Sequence, residues 1–135
     1  MLAIGNIRDN FNGFDEVYYI VRSFKGKTDD THKWVPTLSP SWDLFKYYLD
    51  LKNQNKFDYN TFLSGYVPRF LQEMQSPEAQ KWLNYLVQVS RTKNIALTCF
   101  CTDEKMCHRS IIHALLDNMG ADIRPAKIDY KKIYL

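Results

Sequence analysis

Three chemically capable side chains adjoin in the last third of the 135-residue chain: Cys107, His108 and Arg109, with Ser110 directly after them. All three cysteines of the chain, Cys99, Cys101 and Cys107, fall in the same stretch. A thiolate is a strong nucleophile, an imidazole exchanges protons near neutral pH, and a guanidinium holds phosphate or carboxylate through two parallel hydrogen bonds. The apolar positions Ile111, Ile112, Leu115 and Leu116 predict a helix from about Cys107 to Met119, stopped by Gly120. A helix start presents unpaired N–H groups and roughly half a positive charge, which favours anions and acidifies a thiol. Cys107 and His108 are therefore the candidate catalytic pair. Arg109 and Ser110 are candidate contacts for an anionic small molecule or a nucleotide-like group.

A packing explanation competes with this one. Free cysteine is among the most buried residue types, and Cys99 sits in the middle of an apolar run. His108 could cap backbone groups, and Arg109 could pair with Asp103 or Glu104. Metal binding by Cys99, Cys101, Cys107 and His108 is a further alternative, since residues two apart on a strand share a side. The spacing lacks the paired C-x2-C knuckles of common zinc sites, and adjacent Cys107 and His108 are expected to have difficulty both reaching one ion from a helix start. No metal ligand and no cofactor is assigned. A cysteine-phosphatase loop fails on counting, because the sixth residues beyond the three cysteines are Lys105, Cys107 and His113, none of them arginine.

The elements that must position this turn follow from patterning. Val17–Val21, running on to Phe24, and Ile95–Cys101 read as strands covered on both faces. Gly26–Thr31 reads as a polar loop that extends to His32 and Lys33, two exposed residues with the option of closing over a ligand. Ser39-Pro40 reads as an N-cap with proline at the first helical position, opening a helix that buries Leu44, Phe45, Tyr48 and Leu49. A second helix starts near Asp58 and is kinked or divided at Pro68. Ser76-Pro77 opens a third, which ends at Asn94. Ala121–Arg124 reads as a last short strand, and Asp129–Leu135 as a tail. Trp34 and Trp42 read as core-packing residues, with stacking on a base as the alternative, and His113 as a structural histidine. Strand, helices, strand, helix, strand is the order of a single α/β domain over residues 1–135. The expected architecture is a mainly parallel β-sheet flanked by helices in a Rossmann-like three-layer arrangement. In such a sheet, ligands sit beyond the carboxyl ends of the strands, where Cys99–Ser110 lies.

Composition agrees with a folded domain: 45% hydrophobic, 24% charged and an unusual 15% aromatic residues, which suit a core bordering water or a ligand pocket. A net charge of +3 admits an anionic ligand but falls short of a dedicated nucleic-acid binder, so nucleic acid stays an open partner. No signal-peptide core or membrane-length apolar run is present, and the reading is cytoplasmic with no membrane partner. The clustered, odd-numbered cysteines suit a reducing compartment. Oligomeric state is left open.

Leu97-Thr98-Cys99 followed at a fixed distance by Cys107-His108-Arg109 resembles the signature of the domain-of-unknown-function 488 family. The strand from Val17 to Arg22, the segment Trp34–Ser41 with the helix after it, and Phe62–Leu71 are similar to further parts of that family, so the likeness covers most of the chain. Two features depart from one branch: Ser23–Lys27 replaces a tryptophan-proline-arginine-glycine run, and the cysteines that branch often lacks are kept. The resemblance implies an α/β fold with a pocket at the Cys-His-Arg turn. It adds Arg22, at the end of its strand, as a second anion contact, and Cys99 as a lining residue. It implies no reaction. A non-catalytic nucleic-acid- or protein-binding module, its turn structural or zinc-bound, is the alternative.

Overall fold

The strand that carries Cys99 is the middle of the structure. In the computed structural model, which describes residues 1–135, β4 (Ile95–Cys99) has all five residues buried. It runs between β1 (Leu2–Asn6) and β2 (Glu16–Tyr19), with β3 (His32–Trp34) outside β2. The order is β1-β4-β2-β3 and every pairing is parallel. A parallel strand in this position has helices over both faces, which is why Ile95–Leu97 read as a continuous apolar run. The result is a three-layer α/β arrangement, as the element order implies.

Two strands escaped the pattern. β1 is short and built from Leu-Ala-Ile-Gly, residues of mixed strand preference at a chain end. β3 carries His32 and Lys33, which the sequence placed in the polar loop. As an edge strand it tolerates polar side chains, and its register pairs Val17 with His32 and Tyr19 with Trp34. His32 bonds Asp29, and Lys33 reaches Glu16, so neither lies over the cleft described below. The expected strand at Ala121–Arg124 reduces to a single bridge, Leu2 to Ile123.

The helices form where caps and breakers allow. α1 (Trp42–Asn53) is capped by Ser41, not Ser39: the Ser41 hydroxyl accepts from the Leu44 amide at 3.2 Å, and Pro40 lies before the helix. The shift arises because a 3-10 turn at Pro36–Leu38 holds Ser39, while the Glu73 carboxylate holds the Ser41 amide at 2.8 Å. Asp58 caps the short α2 (Tyr59–Thr61). Before Pro68 the chain widens into a π-helical turn, Phe62–Tyr66, in which the Val67 amide reaches the Phe62 carbonyl. This takes up the missing N–H and the ring of proline, and α3 (Val67–Glu73) resumes with Pro68 in its first turn. Ser76 caps α4 (Pro77–Ser90), which ends short of Asn94. α5 (His108–Asn118) follows β4, and Gly120, at φ +87°, lies just beyond it. The tail folds as α6 (Tyr130–Tyr134) against α5, with Tyr130 buried and the Tyr134 hydroxyl 3.0 Å from Ser110 Oγ. No helix is long and apolar enough to cross a membrane.

Candidate functional site

β4 ends at Cys99, and the chain turns through Cys101 and a 3-10 turn at Glu104–Met106 into α5. Cys107 occupies the N-cap with extended backbone, φ −123° and ψ 146°, while His108 is the first helical residue. That change of backbone direction between neighbours lets both side chains face one point. The sequence-level objection to their sharing a site therefore does not hold. Cys99, Cys101, Cys107 and His108 bring their sulfur and nitrogen atoms within 4.8 Å of one another. The Cys99 and Cys107 sulfurs are 2.9 Å apart, and Cys107 Sγ is 3.6 Å from His108 Nδ1.

His108 is buried, with Nε2 2.5 Å from the carbonyl of Ile20, just past β2. A carbonyl can only accept, so the proton belongs on Nε2 and the Nδ1 lone pair faces the sulfurs. Burial also lowers the His108 pKa, which keeps the ring neutral.

Arg109 does not reach solvent. At 4% exposure it donates from Nη1 to Cys99 Sγ at 3.0 Å and to the Cys101 carbonyl at 2.8 Å. It is thus a partner for the thiols and not the open anion clamp the sequence suggested. Ser110 is likewise engaged internally, donating to the Cys107 carbonyl at 2.8 Å. Hydrogen bonds with Cys101 and Cys107, supported by the Arg109 charge, hold Cys99 well below the ordinary thiol range. Burial, then the neighbouring thiols, push Cys107 well above it. Cys101 is pushed up to about 12: its bond with Cys107 pulls the other way, but its bond with Cys99, burial and the Cys99 charge outweigh that. Of the three thiols, Cys99 is the one favoured to ionise, by its two thiol partners first and by the Arg109 guanidinium beside it.

Above the cluster, at the carboxyl ends of β2 and β4, lies a cleft of about 300 Å³. Cys99, Cys101, Cys107 and His108 line it, and its walls are Trp42, Phe45 and Tyr48 of α1 with Tyr66, Phe100 and Met106. Arg22 is the one cation among its lining residues. Its guanidinium lies 5.6 Å from the Trp42 ring centroid and reaches the Pro40 carbonyl only at 3.4 Å, and its buried Nε has no partner. The structure thus brings Arg22 and Cys99 to the same cleft as Cys107 and His108, and leaves Arg109 and Ser110 behind it. His113 sits apart, bonded through Nε2 to the Arg124 carbonyl at 3.0 Å.

Sequence reasoning missed the aromatic walls. Trp42 was expected in the core and is 61% exposed; Trp34, expected there too, is 41% exposed, with Nε1 on the Val21 carbonyl. An aromatic stripe at helical spacing looks the same whether it faces a core or a cleft, so the sequence held no signal for the difference.

Fold and site together define an α/β protein with a buried thiol–imidazole–guanidinium cluster under an apolar cleft at the carboxyl edge of a parallel sheet. The family model described as the active DUF488-N3 subclade, DUF488-N3a, matches residues 2–120. The chain belongs to the domain-of-unknown-function 488 family. No curated protein and no solved structure matches it.

Proposed function

We propose that this protein binds a small molecule with a flat ring and an anionic group, nucleotide-like in kind, and that Cys99 is the nucleophile directed at it. The ring lies among Trp42, Phe45, Tyr48 and Phe100, and the anionic group meets Arg22. One observation carries this reading: the Cys99 sulfur, to which the buried Arg109 donates at 3.0 Å, lies on the floor of a cleft lined by the whole cluster. A pocket of mostly apolar wall with a few convergent polar groups and shifted titrating groups is the usual form of a ligand site. Cys107 donates its S–H to Cys99, and His108 Nδ1 stands ready to exchange that proton. Cys107 and His108 are thus proton carriers, with the attacking role moved to Cys99. The family model's description as an active subclade supports chemistry over a purely structural turn.

The test is alkylation by iodoacetamide across pH, with the modified cysteine assigned by mass spectrometry, in the presence and absence of AMP. Reaction of Cys99 below pH 7, slowed by AMP, is expected. Reaction of no cysteine until pH exceeds the ordinary thiol value of about 8.5, with no protection by AMP, would reject the proposal.

A further inference from the structure

We infer that the same four side chains form a site for one thiophilic divalent ion of the zinc class, bound by Cys99, Cys101 and Cys107 sulfurs and by His108 Nδ1. Three sulfurs and one imidazole nitrogen are a standard tetrahedral donor set for such ions. The four atoms already lie within 4.8 Å of one another, with 3.6 Å between Cys107 Sγ and His108 Nδ1. Ligand atoms on a tetrahedron with metal–sulfur bonds of about 2.3 Å stand roughly 3.8 Å apart. The Cys107–His108 pair needs almost no movement, and the Cys99–Cys107 pair, at 2.9 Å, needs to open by roughly 0.9 Å.

Three further features fit an ion. The Ile20 carbonyl fixes His108 with Nε2–H turned outward and Nδ1 turned to the sulfurs, the outer contact that metal-bound histidines characteristically make. Arg109, donating to Cys99 Sγ and the Cys101 carbonyl, supplies the positive charge that three thiolates, one imidazole and a divalent ion leave unbalanced. The cleft gives a route in, since all four ligands line it. A bond between Cys99 and Cys107 alone would account for two of these groups and leave Cys101 and the His108 lone pair unexplained.

Metal binding does not depend on Cys99 being a nucleophile. Where it is one, the ion covers the attacking sulfur, and occupancy switches the thiol off.

The experiment is titration of the reduced 135-residue chain with Co²⁺, followed by displacement with Zn²⁺. One Co²⁺ per chain is expected, with the visible bands of a tetrahedral ion and a near-ultraviolet sulfur-to-cobalt charge-transfer band, both lost when Zn²⁺ is added. Cys101→Ser, a near-isosteric change at a partly buried position, is expected to weaken Zn²⁺ binding at least about tenfold while the metal-free thermal melt stays in place. Co²⁺ bound without the charge-transfer band, or a Cys101→Ser chain that binds Zn²⁺ as tightly as the parent, overturns the inference. The iodoacetamide profile of metal-free protein reports on the nucleophile separately, so either proposal can fail while the other stands.

Discussion

The two ends of the sheet bury charge in opposite ways. At the amino end, Glu16, only 4% exposed, accepts from the Tyr18 hydroxyl at 2.6 Å, from Lys93 at 2.9 Å, and is 3.3 Å from Lys33. Burial opposes its ionisation, but those hydrogen bonds hold its pKa at about 2. At the carboxyl end, Arg109 is as deeply buried, yet its guanidinium is met by a sulfur and one carbonyl, and its Nε has no partner. Nearby, His108 turns a lone pair towards the thiols and Arg22 Nε is also unpartnered. Buried charge is therefore not what marks a site in this molecule. Two of the three buried side-chain nitrogens without a partner, those of Arg22 and Arg109, lie at the end of the sheet where a cleft opens, and the third, Nδ1 of His113, lies apart from it.

The sharpest way to break this contrast is Arg109→Met. It removes the donor to the Cys101 carbonyl and to the Cys99 sulfur, and with it a positive charge beside that thiol. A loss of roughly 1–3 kcal/mol in urea unfolding is expected, the cost of a buried acceptor left without its donor. The same variant should move the alkylation midpoint of Cys99 to about 8.5 or higher. A variant that loses stability with an unmoved midpoint would make Arg109 a structural partner like Lys93.

Glu16→Gln tests the other end with a smaller effect, a loss of roughly 1–2 kcal/mol near neutral pH. The sign of its pH dependence follows from the lowered pKa. The unfolded carboxyl, at about 4.3, takes up protons before the folded one, so this contribution is present above that value and is lost as pH falls towards about 2. Stability curves from pH 6 to pH 2 should therefore flatten in the variant. Thiol reactivity should not change; if it does, the two ends are coupled and the contrast between them fails.

The two central strands, β2 and β4, and most helix starts were legible because they rest on local rules. The run Ile95–Cys99 needs only its apolar side chains to declare a buried strand, and Ser76-Pro77 declares its helix by capping chemistry alone. The Cys-His-Arg turn was placed correctly for the same reason. What each side chain does there was not legible, because it depends on backbone direction and on distant groups. Nothing near Cys107 announces that the Ile20 carbonyl fixes the His108 ring, or that Arg109 turns inward to Cys99. The N-cap geometry that lets Cys107 and His108 converge is a property of two dihedral angles, and no spacing rule contains it. β3 was missed on simpler grounds: three residues, two of them polar, are too few to show alternation.

The smallest expected effect on stability belongs to Arg22→Ala, and it bears most directly on what the open end of the sheet is for. Arg22 makes one long hydrogen bond, to the Pro40 carbonyl at 3.4 Å, and a face contact with the half-exposed Trp42. Neither should cost more than about 0.5 kcal/mol to lose at a partly solvated position. A guanidinium that holds its fold so weakly, with a free Nε on the wall of a cleft, has its donors to spare for a ligand. Replacing it should raise the AMP concentration needed to protect Cys99 by about tenfold, the weight of one charge-assisted hydrogen bond. Protection by uncharged adenosine should hardly change, because its ring meets the same aromatic walls. Were adenosine weakened as much as AMP, Arg22 would be shaping the cleft through Trp42, and the anionic half of the ligand would have to be sought on another residue.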